Sequence, residues 1–345
     1  MRVTAKDVAR QVGVSRSTVS RVFTPGAVVA DDTRRAVESA AEALGYRPNP
    51  LAQALISRRS SIVAIAHGDL MNPFHAALAQ SMTEALQRAG IVPITVMVTA
   101  DPSLESLRRV IEGYQVAAVV MTSMGIEPSM VRACQAFGAP LILFNRVVAR
   151  PPVSSVSSDL EQGGMLAALH VAEQGASRVA IVSGPASAPT AQAREAGFRE
   201  GLLAASLTPV QIVDGHYTYE GGTAAADALF GEGMRPDAVL CANDLSAFGV
   251  MDRMRGHHGV RVPDDCLVVG FDDVPNAAWT GYDLTSVHLP VADMLEKGID
   301  IIQAAVRGET LTPTAQLLPC SLTVRGSSVV GGVDAAATTK LTETS

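Results

Sequence analysis

Residues 3–23 read VTAKDVARQVGVSRSTVSRVF and predict two short helices joined by a tight turn. Thr4 can cap the first helix, because Asp7 follows three residues later as a capping-box partner. Apolar residues then repeat at helical spacing, at Val8, Ala9 and Val12. Gly13 permits the turn, and Ser15 can cap a second helix. In that helix Val19 and Val22 face inward, which leaves an outer face of Arg16, Ser17, Ser20 and Arg21. The pattern predicts a helix-turn-helix whose second helix can enter a DNA major groove.

The charge of the chain supports this interpretation over an ordinary pair of amphipathic helices. Residues 1–60 contain ten Lys or Arg against five Asp or Glu, a net charge of +5, whereas the whole chain of 345 residues carries −7. The remaining residues therefore carry a net charge of −12. In an acidic protein with a basic head, the head alone is expected to bind the phosphates of nucleic acid.

A third helix is predicted over residues 31–44, with two acids in its first turn, an apolar face at Ala36, Val37, Ala40 and Leu44, and Gly45 as its stop. The chain continues as Tyr46-Arg-Pro-Asn-Pro50. This head resembles that of the lactose and galactose repressor (LacI/GalR) family, in which a helix-turn-helix is followed by a Gly-Tyr-x-Pro-Asn junction and a short hinge helix.

The resemblance implies residue roles. Arg16 and Ser17 fall where the family reads bases, Arg21 lies near the same edge, and an Arg there can grip guanine bidentately. Leu55 holds the position that the family wedges into the minor groove. Gln53 departs from the Arg of many relatives, which puts the strength of that contact in question. The full predicted DNA-contacting set is Thr4, Ser15, Arg16, Ser17, Thr18, Arg21, Asn49, Ala52, Gln53 and Leu55.

From Ser61 onward buried-strand patterns alternate with helical ones. Strands are predicted at 62–66, 93–98, 116–121, 141–144, 179–183, 238–242 and 267–271. Helices are predicted at 76–89, 104–112, 163–174, 191–205, 222–230, 245–254 and 291–306. Such alternation gives an α/β fold of parallel sheets covered on both faces, and its length requires two lobes.

The family fold, which is similar to that of periplasmic sugar-binding proteins, implies the domain boundaries. These are a head at 1–46, a hinge at 47–60, an effector-binding core at 61–325 and a flexible tail at 326–345. Lobe 1 is expected at about 61–158 and 289–321, and lobe 2 at about 159–286 and 322–325. The chain should cross between them near Ser157–Leu160, Thr285–Pro290 and Cys320–Thr323.

Ligands of open parallel sheets bind beyond the carboxyl ends of the strands. With the family pattern, this predicts effector contacts at Asn72, Phe74, His75, Arg146, Thr190, Arg194, Tyr217, Asn243 and Asp272. Arg194 and Asp272 would bond polar ligand groups, while Phe74 and Tyr217 would supply stacking walls. Asn145 replaces the Asp usual in the family. Such a pocket suits a sugar, sugar acid or polyol, with a purine as the alternative.

Structural roles compete with several of these assignments. Asn243 and Asp244 could cap a helix, Asp272 could stabilise a turn, and Phe74 and Tyr217 could be core aromatics. Trp279 is expected to pack rather than to border the cleft.

No enzyme, cofactor or metal site is expected. The four cysteines are widely separated, no phosphate-binding glycine loop follows a strand, and His257 and His258 read as a solvated loop. The chain lacks a secretion signal and a membrane-spanning run, which predicts a cytoplasmic, nucleoid-associated protein. The predicted function is that of a homodimeric, effector-switched repressor of a pseudo-palindromic operator. A transport-type binding protein without DNA regulation is the alternative.

Overall fold

The computed structural model describes residues 3–23, 27–47, 60–98, 104–122, 128–146, 153–231 and 235–329. It confirms the predicted α/β class, with a helical head followed by two sheets. The head contains α1 (Ala5–Val12), α2 (Arg16–Val22) and α3 (Asp31–Leu44). Its core consists of Val8, Ala9, Val19, Val22, Val37, Ala40 and Ala41. Ala36 is exposed, so the third helix turns Ala41 rather than Ala36 inward.

Sheet 1 and the helices packed on it form lobe 1. Its strands are β1 (Ile62–His67), β2 (Val92–Met97), β3 (Ala118–Met121), β4 (Leu141–Phe144), β5 (Ser154–Ser158) and β11 (Ala315–Leu318). They lie in the order β11-β5-β4-β3-β1-β2, and every pairing is parallel. The helices of this lobe are α4 (Pro73–Arg88), α5 (Leu104–Tyr114), α6 (Pro128–Ala136) and α11 (Val291–Val306).

Sheet 2 and its helices form lobe 2. Its strands are β6 (Val179–Ser183), β7 (Gln211–Asp214), β8 (Ala238–Cys241), β9 (Leu267–Asp272), β10 (Thr285–His288) and β12 (Ser321–Thr323). Their order is β12-β10-β9-β8-β6-β7, and only β12 runs antiparallel to its neighbour. The helices are α7 (Leu160–Glu173), α8 (Pro189–Ala204), α9 (Tyr219–Phe230) and α10 (Asp244–His257).

The chain passes between the lobes at three places. It leaves sheet 1 after β5, since α7 packs on strands of sheet 2. It returns after β10, because α11 packs against α4, β4 and β5. It leaves again between β11 and β12, which belong to different sheets. The three connections lie side by side, as a hinge between two lobes requires.

Two pairs of helices in lobe 2 approach until their backbones touch. A Cβ at Gly197 of α8 would collide with the carbonyl oxygen of Glu161 in α7. A Cβ at Gly249 of α10 would likewise collide with the carbonyl oxygen of Tyr219 in α9. Only glycine allows such contact, and each pair is therefore locked in one register.

Several sequence-based expectations were wrong. Five strands were not predicted, namely β5, β7, β10, β11 and β12. Trp279 does not pack, because 58 % of it is exposed. His257 and His258 do not form a loop, since His257 ends α10 and His258 is its C-cap residue. Within the described residues, no helix is long and apolar enough to cross a membrane.

Candidate DNA-contacting surface and effector cleft

The helix starts in the head are fixed by their own side chains. The backbone N–H and the Oγ1 hydroxyl of Thr4 both donate to the Asp7 carboxylate, at 3.0 and 2.7 Å, and these bonds lower the pKa of Asp7. The hydroxyl of Ser15 accepts from the backbone N–H of Thr18 at 3.1 Å and lies 2.8 Å from its Oγ1. Gly13 takes the left-handed conformation that the turn needs, at φ 74°. Thr4, Ser15 and Thr18 thus all have a structural role in this head.

The outer face of α2 carries the remaining predicted contacts. Arg16, Ser17 and Arg21 are exposed, while Val19 and Val22 on the opposite face are buried. Arg34 of α3 donates to the carbonyl oxygens of Val22 and Ala27, at 2.8 and 3.1 Å, and so fixes the end of α2 against α3. The predicted hinge contacts Asn49, Ala52, Gln53 and Leu55 lie outside the described residues.

In lobe 2, the predicted pair Arg194 and Asp272 forms a buried salt bridge. The guanidinium of Arg194 donates to Oδ1 of Asp272 at 2.7 Å and to the carbonyl oxygen of Ala242. It also lies 4.2 Å from the ring centroid of Phe271, close enough for a cation–π interaction. Arg194 is 4 % exposed, and its Nε has no hydrogen-bond partner. Burial raises the pKa of Asp272, and the charge of Arg194 opposes that rise.

Tyr217 forms a wall beside this pair. Its ring lies 5.6 Å from the Arg194 guanidinium, and its hydroxyl donates to Oγ1 of Thr190 at 3.4 Å. The backbone of Tyr217 has a positive φ of 60°. Gly184 leaves room for the ring, since a Cβ there would overlap Tyr217. Burial raises the pKa of Tyr217, which keeps its hydroxyl protonated as a donor.

Lobe 1 places His75 and Arg146 opposite these groups. His75 feels the charges of Asp272, Arg146 and Arg194, and Arg146 feels that of Arg194. Burial lowers the pKa of both His75 and Arg146. The Nδ1 atom of His75 lies 3.1 Å from the carbonyl oxygen of Asp69. Among the described residues, Arg146 has no carboxylate or hydrogen-bond partner. Within the described part of the chain, Arg146 is therefore a positive charge without a protein counter-charge.

Three predicted effector residues have mainly structural surroundings. Oδ1 of Asn72 accepts from the backbone N–H of Phe74 and caps α4, and Phe74 is buried in the core. Oδ1 of Asn243 accepts from the backbone N–H of Ser246, and its amide donates to the carbonyl oxygen of Tyr217. Ligand contact by these three residues stays a prediction.

Two features of the cleft were missed by the sequence analysis. Oδ1 of Asn145 is buried without a hydrogen-bond partner, directly before Arg146 and at a positive φ of 59°. The second feature is a cluster around Asp273, whose carboxylate accepts from His288 at 2.9 Å, Thr323 at 2.9 Å and Arg325 at 2.7 Å. Burial raises the pKa of Asp273, but these bonds lower it by more, so that it stays below its usual value.

The Asp273 cluster connects the cleft to two of the lobe crossings. His288 ends β10, Thr323 ends β12, and Asp273 directly follows the residue that holds Arg194. The backbone N–H of Asp273 also donates to the hydroxyl of Ser286 at 3.0 Å. A displacement at Asp272 would therefore reach β10, which ends at one lobe crossing, and β12, which begins at another. The only sequence signal was the pair of adjacent aspartates at 272 and 273.

Comparisons with known proteins agree with both parts of the chain. The family profile described as "Bacterial regulatory proteins, lacI family" matches residues 4–49, and that of "Periplasmic binding protein-like domain" matches residues 168–328. Catabolite control protein A of Priestia megaterium is 30% identical over 334 residues, covering 95% of this chain and 100% of the relative.

Solved structures that match nearly the whole chain include the following two. One is the lac repressor dimer bound to operator and the anti-inducer ONPF, with a TM-score of 0.82, 26% identity, and coverage of 96% of this chain and 100% of the other. The other is a complex of the transcriptional regulator CelR with cellobiose, with a TM-score of 0.71, 30% identity, and coverage of 94% and 100%.

Proposed function

Because the chain belongs to the lacI family of bacterial regulatory proteins, we propose that it is a homodimeric repressor that reads a pseudo-palindromic operator through α2. A small polar effector, bound between the lobes, switches its affinity for DNA. Two-fold symmetry of the dimer would place two copies of α2 in successive major grooves. The protein would act on chromosomal DNA in the cytoplasm and catalyse no reaction.

The outer face of α2 is the observation that carries the DNA-binding role. Arg16 and Arg21 are exposed there, and within the described part of the chain neither has an ion-pair partner. By contrast, Arg10 and Arg35 in the same head pair with Asp7 and with Asp32. Unpaired guanidinium groups on a helix that is rigidly capped and packed can meet base edges and phosphates without breaking another interaction.

The hinge and the helix starts complete the proposed interface. The helix N-termini at Thr4 and Ser15 present backbone N–H groups of the kind that bind phosphates. Leu55 would wedge into the minor groove at the operator centre, with Asn49, Ala52 and Gln53 beside it, as the family resemblance implies.

The charges in the cleft support the class of effector. Asp272 neutralises the charge of Arg194, so this pair adds no net charge to the cleft. Its role is to keep the N–H donors of Arg194 in a fixed position. Arg146 is unmatched and half-buried, and it needs an acceptor from the ligand. Tyr217 offers a ring wall. A hydroxylated ligand with an acceptor-rich end, such as a sugar, sugar acid or polyol, meets all three requirements.

Closure of the cleft would couple the effector to DNA. His75 and Arg146 face Asp272 and Arg194 from the opposite lobe, so a ligand that bridges them draws the lobes together. Coupling is reciprocal, and an interaction free energy of about 1–3 kcal/mol suffices for regulation. Operator DNA must then change effector affinity by the same factor.

The test is selection of genomic DNA fragments by the purified full-length protein, read by sequencing and repeated with pools of sugars, sugar acids and nucleobases. We expect one pseudo-palindromic sequence to be enriched. One of the ligand pools should raise or lower that enrichment. Arg16→Ala should weaken the enrichment, whereas Arg35→Ala, which removes a paired arginine of the same head, should retain it. Enrichment of no sequence under any condition would refute the repressor and favour a binding protein without DNA regulation.

A further inference from the structure

Three groups with metal-ligating atoms meet at the carboxyl end of α10. They are Asp227 of α9, His257 and His258, and one ligand atom from each lies within 4.8 Å of the others. Among the described residues this is the only such cluster of three.

Packing holds two of the three groups in place. His258 is half-buried, with its ring centroid 6.1 Å from that of Phe230, and its Nε2 lies 2.8 Å from Oδ1 of Asp227. Its ring also meets that of His257 edge-on, at 4.9 Å between centroids. His257 is exposed and free to turn. His257 therefore has the largest movement to make, and the Asp227–His258 pair needs only a small readjustment.

The Asp227 carboxylate is already oriented as a ligand would be. Both Nε of Arg253 and Nε2 of His258 bond to Oδ1, at 2.7 and 2.8 Å. Among the described residues Oδ2 has no such bond and is left for another partner. Arg253 would act as the outer hydrogen-bond partner that ligating carboxylates usually have.

We propose that Asp227, His257 and His258 form a binding site for a divalent transition cation of the Zn²⁺ class. Two imidazoles and one carboxylate suit Zn²⁺ and its neighbours rather than Ca²⁺ or Mg²⁺, which prefer oxygen ligands. Tetrahedral zinc with bonds of about 2.0 Å needs ligand atoms about 3.3 Å apart. The Asp227 and His258 atoms, now 2.8 Å apart, would separate slightly, and His257, whose ligand atom lies within 4.8 Å of theirs, would move inward.

The surroundings favour a cation at this place. The carboxyl end of α10 presents the negative end of the helix dipole. Asp227 and His257 line a surface cavity of about 560 Å³ that also contains Asp252 and the Arg253 that pairs with Asp227, and water from it can fill the fourth coordination position.

Competing sites on the described part of the chain are weaker. All four cysteines are buried, and burial raises the pKa of each thiol, so thiolates are scarce at neutral pH. His216 has a carboxylate neighbour in Asp214, at 3.1 Å, but no third ligand. A surface pair of this kind provides a matched control for non-specific binding.

The test uses the full-length protein, freed of any affinity tag and of metal, titrated with Zn²⁺ against a fluorescent zinc indicator. One saturable Zn²⁺ per chain is expected. His257→Ala should weaken binding at least about 10-fold, since even loss of an outer-shell partner has that effect. His216→Ala should bind as the unaltered protein does. Because His257 is exposed, its replacement should leave the thermal unfolding midpoint of the metal-free protein unchanged.

A second readout comes from Co²⁺, whose visible absorption reports nitrogen and oxygen ligation in a site of low coordination number. The spectrum should appear with the unaltered protein and disappear with Asp227→Asn, which keeps the shape of the side chain. The proposal is overturned if Zn²⁺ binding is not saturable. It is equally overturned if His257→Ala binds as tightly as the unaltered protein, or if His216→Ala loses as much affinity.

Discussion

Removal of the Asp272 charge should destabilise lobe 2 far more than removal of Arg194, although the two groups form one salt bridge. In Asp272→Asn, the Arg194 guanidinium stays ionised, since arginine does not give up its proton in proteins. It is 4 % exposed and would keep only uncharged partners, namely the Ala242 carbonyl, the Phe271 and Tyr217 rings and the amide oxygen of the new side chain. Breaking a buried pair in this way costs about 3–5 kcal/mol.

In Arg194→Met, Asp272 can avoid the cost of a buried, unpaired charge by binding a proton. Burial already raises the pKa of Asp272, and without Arg194 nothing of comparable strength opposes that rise. At a pH between its unfolded-state and folded-state pKa values, Asp272 would then be protonated in the folded protein and ionised in the unfolded chain. Stability should therefore be greatest at acid pH and fall as the pH rises above the unfolded-state value of about 3.9 toward the raised folded-state pKa. The unaltered protein should show the same trend more weakly, because Arg194 opposes the rise in the pKa of Asp272.

Differential scanning calorimetry of the metal-free protein provides the measurement. For a unit the size of lobe 2, a loss of 3–5 kcal/mol lowers the midpoint by about 6–20 °C. The double variant Arg194→Met/Asp272→Asn should recover much of the loss of Asp272→Asn, because no uncompensated charge remains. The matched control is Asp265→Asn, which breaks an exposed Arg261 pair of similar length, 2.6 Å, and should unfold close to the unaltered protein.

Equal midpoints for Asp272→Asn and Asp265→Asn would refute the reasoning. So would a double variant that is less stable than Asp272→Asn alone, because the buried guanidinium would then not be the source of the penalty.

Three other variants test the head, the cleft and the carboxyl-terminal segment. Arg16→Ala should reduce operator affinity by about 1–3 kcal/mol in a fluorescence anisotropy titration, and an equal loss on random DNA would show a phosphate contact alone. Arg146→Gln should abolish the effector response without lowering the unfolding midpoint, because it removes a partly buried charge that lacks a partner; a midpoint well below that of the unaltered protein would instead assign Arg146 a structural role. Burial lowers the pKa of His170, whose Nε2 lies 2.7 Å from the Ser328 hydroxyl, so the folded protein favours the neutral ring. Stability should fall as the pH drops below the ordinary value of 6.5 toward the lowered folded-state pKa, and His170→Gln should show a shallower fall in pH-dependent calorimetry.

Local signals were enough to predict the head and most of the buried strands. Caps at Thr4 and Ser15, the left-handed Gly13 and the apolar spacing of Val19 and Val22 are each encoded within a few residues of where they act. Strands such as Leu141–Phe144 and Val179–Ser183 were predicted to the residue, because each is a short apolar run that the sheet buries completely.

The missed strands lack such a signal. The strand at Ser154–Ser158 is wholly buried, yet four of its five residues are serines, so its position in the sheet depends on neighbouring strands rather than on its own composition. The strands at Gln211–Asp214 and Ala315–Leu318 lie at sheet edges and expose part of their surface.

The cleft shows the same limit. Resemblance to a family supplied Arg194 and Asp272, but not that they bind each other, which changes what either can offer a ligand. The cluster around Asp273 could not be found from the sequence, because its partners at 288, 323 and 325 meet only when sheet 2 brings β9, β10 and β12 together.

The glycines that lock the helices of lobe 2 set limits on how this protein can evolve. At Gly197 and Gly249 even alanine would collide with the backbone of the facing helix, so a saturation library should find almost no accepted replacement at either position. Lineages that acquire a new effector cannot do so by sliding these helices. They must exchange side chains on the loops at the strand ends, where Thr190 and Tyr217 lie, and leave the frame unaltered. Inherited variation in lobe 2 should therefore be concentrated in the loops at the strand ends. It should be nearly absent at Gly197 and Gly249, where α8 contacts α7 and α10 contacts α9.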